Sequence, residues 1–105
     1  MKKFMMSLLL LWVPLALAQS VWIDVRTAEE YQAGHLEGAI NIPYDEIQQK
    51  ITSVATDKST DIQLYCRSGR RSGIALETLR SMGYSKVANA GAYEQLKQKR
   101  PQSNE

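Results

Sequence analysis

Apolar residues in this chain fall into short runs of strand length, separated by stretches with helical spacing. Val21-Trp22-Ile23-Asp24-Val25, Ala39-Ile40-Asn41-Ile42, Asp61-Ile62-Gln63-Leu64-Tyr65 and Lys86-Val87-Ala88-Asn89 read as four strands, the first short and buried, the second stopped by Pro43. Between the first two, Thr27-Ala28-Glu29-Glu30 carries the capping-box pattern and predicts a short helix ending at Gly34. Ile47, Ile51 and Val54 repeat at helical spacing within residues 45–54. Ile74, Leu76, Leu79 and Met82 mark a helix from about Arg71 to Met82, with Gly83 as its stop. A final helix is expected over residues 93–98. Strands alternating with helices of about ten residues predict an α/β fold whose parallel sheet is covered on both faces. Repeats, low-complexity tracts and linkers are absent from the sequence.

The first 18 residues follow another pattern. Lys2-Lys3 precede an apolar stretch from Phe4 to Ala18, and Ala16-Leu17-Ala18 puts small residues at the positions that determine cleavage. The stretch is 15 residues long and contains Pro14, whereas a membrane span needs about 20 apolar residues. A cleaved signal peptide over residues 1–18 is therefore expected, with Gln19 opening the mature chain. No cysteine lies near the cleavage region, which argues against a lipid anchor, and no membrane association is expected after cleavage.

Cleavage changes the charge balance. The chain has 13 Lys+Arg and 11 Asp+Glu, and losing Lys2 and Lys3 leaves 11 of each. A formally neutral domain has no broad basic face, so nucleic acid is not an expected partner. Residues 19–105 are the length of one small domain, expected to be monomeric. Its single cysteine cannot form an internal disulfide.

That cysteine opens the segment richest in chemistry, Cys66-Arg67-Ser68-Gly69-Arg70-Arg71-Ser72. A thiol at a strand end, followed by a glycine-containing turn into a helix, meets converging backbone N–H groups and the positive end of the helix dipole. These favour the thiolate, which is the nucleophile. The plainer alternative is a small buried hydrophobe beside a solvated basic loop. Position favours the first reading, because ligands of open α/β sheets bind beyond the carboxyl ends of the strands. Against a neutral background, the arginines at 67, 70 and 71 form a local site for a small anion.

The chain also resembles the rhodanese family. Asp24-Val25-Arg26, Glu30-Tyr31 and the run from Gly34 to Pro43 resemble the family's N-terminal half. Cys66-x-x-Gly69-x-Arg71 resembles its active-site loop, and Met82-Gly83-Tyr84 with Asn89-Ala90-Gly91 its C-terminal half. The departures are Glu37, where the family often has proline, and Gly91-Ala92, where it commonly has two glycines. The resemblance implies a three-layer α/β/α fold with a small parallel sheet of four to five strands. It also implies an exported, periplasmic thiosulfate sulfurtransferase.

By that resemblance Cys66 takes sulfane sulfur from a donor such as thiosulfate and passes it to cyanide or another thiophilic acceptor. The loop amides from Arg67 to Ser72, Gly69 included, would stabilise the anionic sulfur. Arg67 and Arg70 are the candidates for attracting the sulfonate. Arg71 suits substrate binding and loop closure equally. Ser68 and Ser72 can each donate to the anion or cap the helix, with capping favoured for Ser72. Asp24 and Arg26 are expected to form an architectural ion pair, and His35 to stabilise a turn. One His and one Cys cannot make a zinc site, and neither metal nor cofactor is expected.

Three rivals remain at this point. A cysteine phosphatase or arsenate reductase has five residues between Cys and Arg, whereas four separate Cys66 from Arg71, and the position after five is Ser72. A non-catalytic rhodanese-like binding module usually lacks the cysteine. A dithiol oxidoreductase needs a second one.

Overall fold

The computed structural model describes residues 20–99 together with 102 and 103. The signal peptide expected over residues 1–18 lies outside the described residues. Strand β1 spans Val21–Asp24 and leads into helix α1, Ala28–Ala33. Thr27 caps that helix as the sequence predicts: its hydroxyl accepts from the Glu30 amide at 3.1 Å, and Glu30 Oε1 accepts from the Thr27 amide at 2.9 Å. Then come two short strands, β2 (His35–Leu36) and β3 (Ile40–Asn41).

A 3-10 turn at Tyr44–Glu46 precedes helix α2, Ile47–Val54, so the helical stretch read from Asp45 begins with a tighter turn. Strand β4, Ile62–Cys66, includes the cysteine as its last residue. Helix α3 runs Arg70–Ser81, strand β5 Val87–Ala92, and helix α4 Tyr93–Leu96. Gln102–Ser103 form β6.

β3, β1, β4 and β5 lie side by side in that order and form a four-stranded sheet, parallel at every pairing. β2 pairs with β6 antiparallel, Leu36 opposite Gln102, a small second sheet that the sequence pattern did not indicate. Both faces of the main sheet are covered, as the apolar runs require. Ile23, Ile62, Leu64 and Cys66 join Ile47 and Ile51 of α2 and Ala75 and Leu79 of α3 in the larger core cluster. Tyr65 faces the other way and packs with Leu36, Ala39 and Tyr93. Period-two alternation along β4 thus sends the Cys66 side chain towards α3.

β5 is longer than predicted because it carries a bulge. Leu64 pairs with Asn89 but Tyr65 pairs with Gly91, so Ala90 is the extra residue. This irregularity lies beside the last residues of β4, where the chemistry-bearing loop begins.

Candidate active site

The site grows from the end of β4. Cys66 is fully buried there. The chain turns through exposed Arg67 and Ser68 to Gly69, whose φ of 99° is left-handed and suits glycine. Gly69 is the N-cap of α3, and no side chain caps this helix end. The expectation that Ser72 caps the helix is therefore corrected: the helix starts at Arg70, which puts Ser72 in its first turn, fully buried.

This turn bends the backbone around the sulfur. The Gly69 amide donates to Cys66 Sγ at 3.0 Å, and Ser72 Oγ lies 3.5 Å from the same sulfur. Burial pushes the thiol's pKa up. The Ser72 hydroxyl and the amides of Ser72, Gly69 and Ser68 push it down, and the net displacement is downward.

The arginines of the loop have separate placements. Arg71 turns to α1, where its Nη1 and Nη2 meet Glu30 Oε1 and Oε2 at 2.9 and 3.1 Å. This contact holds the Glu30 carboxyl down to about 2 and raises the Arg71 guanidinium. Arg67 borders a cleft of about 400 Å³ whose other walls include Arg26, Glu30, Tyr93, Glu94 and Lys97, while the buried Cys66 does not line it. Arg70 is exposed and does not line that cleft. The Ser68 hydroxyl accepts from the Arg70 amide at 3.4 Å, so it supports the helix start.

Asp24 and Arg26 form a buried pair at the end of β1, with Nη2 2.6 Å from Oδ2 and Nε 2.9 Å from Oδ1. Arg26 Nη2 also donates to the Gly34 carbonyl at 2.7 Å, and its guanidinium lies 4.3 Å from the Tyr93 ring centre. Burial lowers the affinity of Arg26 for its proton, but Asp24 outweighs this and the net shift is upward. His35 stacks on Tyr31 with ring centres 3.7 Å apart. Its Nδ1 lies 2.8 Å from the Tyr31 carbonyl, which can only accept, so Nδ1 carries the hydrogen.

Two residues, Glu30 and Asn89, join the site without being among the candidate site residues of the sequence. The sequence marks Glu30 as half of a capping box and as part of the family resemblance, and the structure shows that it also anchors the sulfur loop. Asn89 reaches across from β5: its Nδ2 donates to the Gly69 carbonyl at 2.9 Å, and its Oδ1 accepts from Ser72 Oγ at 2.6 Å. The signal available in sequence was an Asn-x-Gly inside an apolar strand, where asparagine is ordinarily depleted.

Comparison with known proteins agrees with this arrangement. Residues 10–99 match the sequence profile of the rhodanese-like domain. The chain belongs to the rhodanese family.

Among relatives of this rhodanese, the thiosulfate sulfurtransferase PspE of Escherichia coli is 42% identical over 95 residues, covering 90% of this chain and 91% of that one. The human thiosulfate:glutathione sulfurtransferase is 35% identical over 98 residues, covering 81% and 85%. A solved structure of a rhodanese with anions from E. coli superposes with a TM-score of 0.78 at 41% identity, covering 83% of this chain and all of the other. The human single-domain sulfurtransferase TSTD1 gives 0.67 at 30% identity, covering 81% and 87%.

Among the described residues, no three His, Cys, Asp or Glu side chains are grouped so as to hold a metal ion, and no helix is long and apolar enough to cross a membrane.

Proposed function

We propose that this chain moves sulfane sulfur from thiosulfate to cyanide or another thiophilic acceptor through a persulfide on Cys66. The chain is a sulfurtransferase of the rhodanese family, and its relatives carry that activity in their names. The observation that carries the assignment to Cys66 is the amide of Gly69 aimed at Sγ from 3.0 Å, at the mouth of α3.

In the first half-reaction the Cys66 thiolate attacks the outer sulfur of thiosulfate. The Cys66 S–S bond forms, the sulfur–sulfur bond to the sulfonate breaks, and sulfite leaves with the electron pair. The persulfide then carries one negative charge on its outer sulfur. Amides of the loop from Arg67 to Ser72 stabilise that charge without reorganising, because the backbone is already turned inward. In the second half-reaction the acceptor attacks the outer sulfur, and Cys66 departs as thiolate. Arg67, on the wall of the cleft, attracts the donor's sulfonate, with Arg70 adding longer-range charge. Arg71 serves the reaction by holding the loop to Glu30, so it is a positioning residue. The Asp24–Arg26 pair and His35 support the neighbouring turns.

The non-catalytic alternative is less well supported, since the cysteine and its loop are complete. Residues 1–18 serve as a signal for export to the periplasm, and the domain beginning at Gln19 works as a monomer. N-terminal sequencing of protein from an exporting Gram-negative host should read from Gln19.

The function is tested by mass spectrometry of the protein after thiosulfate alone. One sulfur atom, roughly 32 Da, should appear and be removed by cyanide. Cys66→Ser should fold but never gain this mass. Thiosulfate:cyanide activity persisting in that variant would falsify the mechanism.

A further inference from the structure

The side chain of Asn89 has chemistry that its neighbours determine completely. The Gly91 amide, a donor only, lies 3.0 Å from one end, and the Gly69 carbonyl, an acceptor only, lies 2.9 Å from the other. The first end must therefore be Oδ1 and the second Nδ2. Ser72 Oγ approaches the Oδ1 end at 2.6 Å. Two acceptors cannot share a hydrogen bond without a proton, so the Ser72 hydroxyl donates to Asn89. It has one proton to give. With that proton committed, Ser72 turns a lone pair, not a hydrogen, towards Cys66 Sγ at 3.5 Å.

We propose that Asn89 is a positioning residue for sulfur transfer: it holds the Ser72 proton away from Cys66 in the resting thiol and yields it when Sγ becomes anionic. The inference rests on Cys66 being the nucleophile. The resting thiol can place its own hydrogen on the Ser72 lone pair. Once the sulfur is a thiolate, the hydroxyl must rotate to donate to it, which breaks a short hydrogen bond to Asn89. Asn89 thus opposes ionisation through Ser72. Through Nδ2 it keeps the Gly69 carbonyl in place, and with it the turn that brings the Gly69 amide to the sulfur. The bulge at Ala90 makes the arrangement possible, since it separates Asn89 from Gly91 in register and closes the side chain onto the Gly91 amide.

The charged and titratable groups on the elements around this sulfur are Arg67, Arg70 and Arg71 in its own loop and helix, Glu30 of α1 paired to Arg71, and the Asp24–Arg26 pair at the end of the adjacent β1. None of these is altered by changes at Asn89 or Ser72, so a double-mutant cycle isolates the hydroxyl.

The test is a titration of thiolate absorbance, which is unambiguous because Cys66 is the chain's only cysteine; Cys66→Ser supplies the tyrosine background. Asn89→Ala frees the Ser72 proton for the sulfur, so the midpoint should fall by roughly half a pH unit, about a threefold change in thiolate fraction at a fixed pH. In a Ser72→Ala background the same substitution removes only the Nδ2 contact to the Gly69 carbonyl, so the fall should disappear and any remaining shift should be upward. Asn89→Asp keeps both acceptor contacts but gives up the donor to the Gly69 carbonyl, so its thermal stability is measured beside that of the alanine variant. Its carboxylate holds the Ser72 proton harder, so the midpoint should rise, and rise more with Ser72 present than without it.

Shifts of equal size with and without Ser72 would overturn the proposal, as would an unmoved midpoint in a variant of normal thermal stability. No sulfur donor enters this titration. A failure of thiosulfate to form the persulfide would therefore count against the function and leave this result readable.

Discussion

Arg71 and Glu30, 41 residues apart in sequence, clasp each other through two parallel N–H to oxygen contacts of 2.9 and 3.1 Å. The contact ties the helix that follows the sulfur loop to the capped start of α1, and Glu30 serves both ends at once. Glu30→Gln separates the two duties, because glutamine still completes a capping box but carries no charge for Arg71. The sign with pH follows from the lowered carboxyl. Stability from this pair is fully present above the ordinary value of 4.5 and is lost as pH falls through about 2. Glu30→Gln should cost about 1–2 kcal/mol at neutral pH, a modest amount because both partners are partly solvated. Urea unfolding of both proteins between pH 7 and 2 should show the difference closing as acid is added.

The buried Cys66 thiol lies below its ordinary pKa, because the hydrogen bonds of the loop outweigh the effect of burial. Persulfide formation from thiosulfate, followed by stopped-flow quenching and mass, should therefore rise with pH and level off below the ordinary thiol range. On the acid side the rate should fall about tenfold per pH unit, since only the thiolate reacts. A profile that keeps rising through pH 9 would contradict the lowered thiol.

Arg67 borders the cleft and Arg70 does not, so their substitutions should differ. Arg67→Ala should raise KM for thiosulfate about three- to tenfold with kcat changed little, because a uniform attraction is removed. Arg70→Ala should give a smaller rise. The wild-type KM should climb with added salt more steeply than that of Arg67→Ala.

Removing the Asp24 carboxylate would leave Arg26 charged, buried and without its ion-pair partner. Asp24→Ala should cost about 3–5 kcal/mol in chemical denaturation, well beyond the effect of a surface ion pair. If the loss were below 1 kcal/mol, the pair would not be the architectural element its burial suggests.

Much of the fold was legible in the sequence. The strands around Ile23 and Leu64 are short and largely buried, so their apolar runs stand out, and Thr27 with Glu30 marked the start of α1 correctly. Less legible was whatever depended on register. The bulge at Ala90 arises from how β5 matches β4, and Asn89 acquires its contacts only through that mismatch. β2 and β6 are two residues each and pair across 66 positions, too short for any periodic signal. Ser72 looked like a cap because serine ordinarily favours that place, but a left-handed glycine had already started the helix. The thiol and the basic loop could be read from composition. That Arg71 faces Glu30 while Arg67 faces the cleft could not, because neighbouring side chains on a turn diverge according to backbone angles that sequence does not display.

The complete burial of Cys66 Sγ bears on who can react with this enzyme. A sulfur with no surface of its own is closed even to water, so the terminal atom of a donor reaches it only when the residues covering it shift aside. Adding that atom extends the side chain by one sulfur–sulfur bond, about 2 Å. In the loaded enzyme the atom to be transferred therefore lies one bond beyond the buried Sγ. Loading and unloading thereby act on different atoms, the first buried and the second one bond further from the backbone, because the cargo lengthens the arm that carries it.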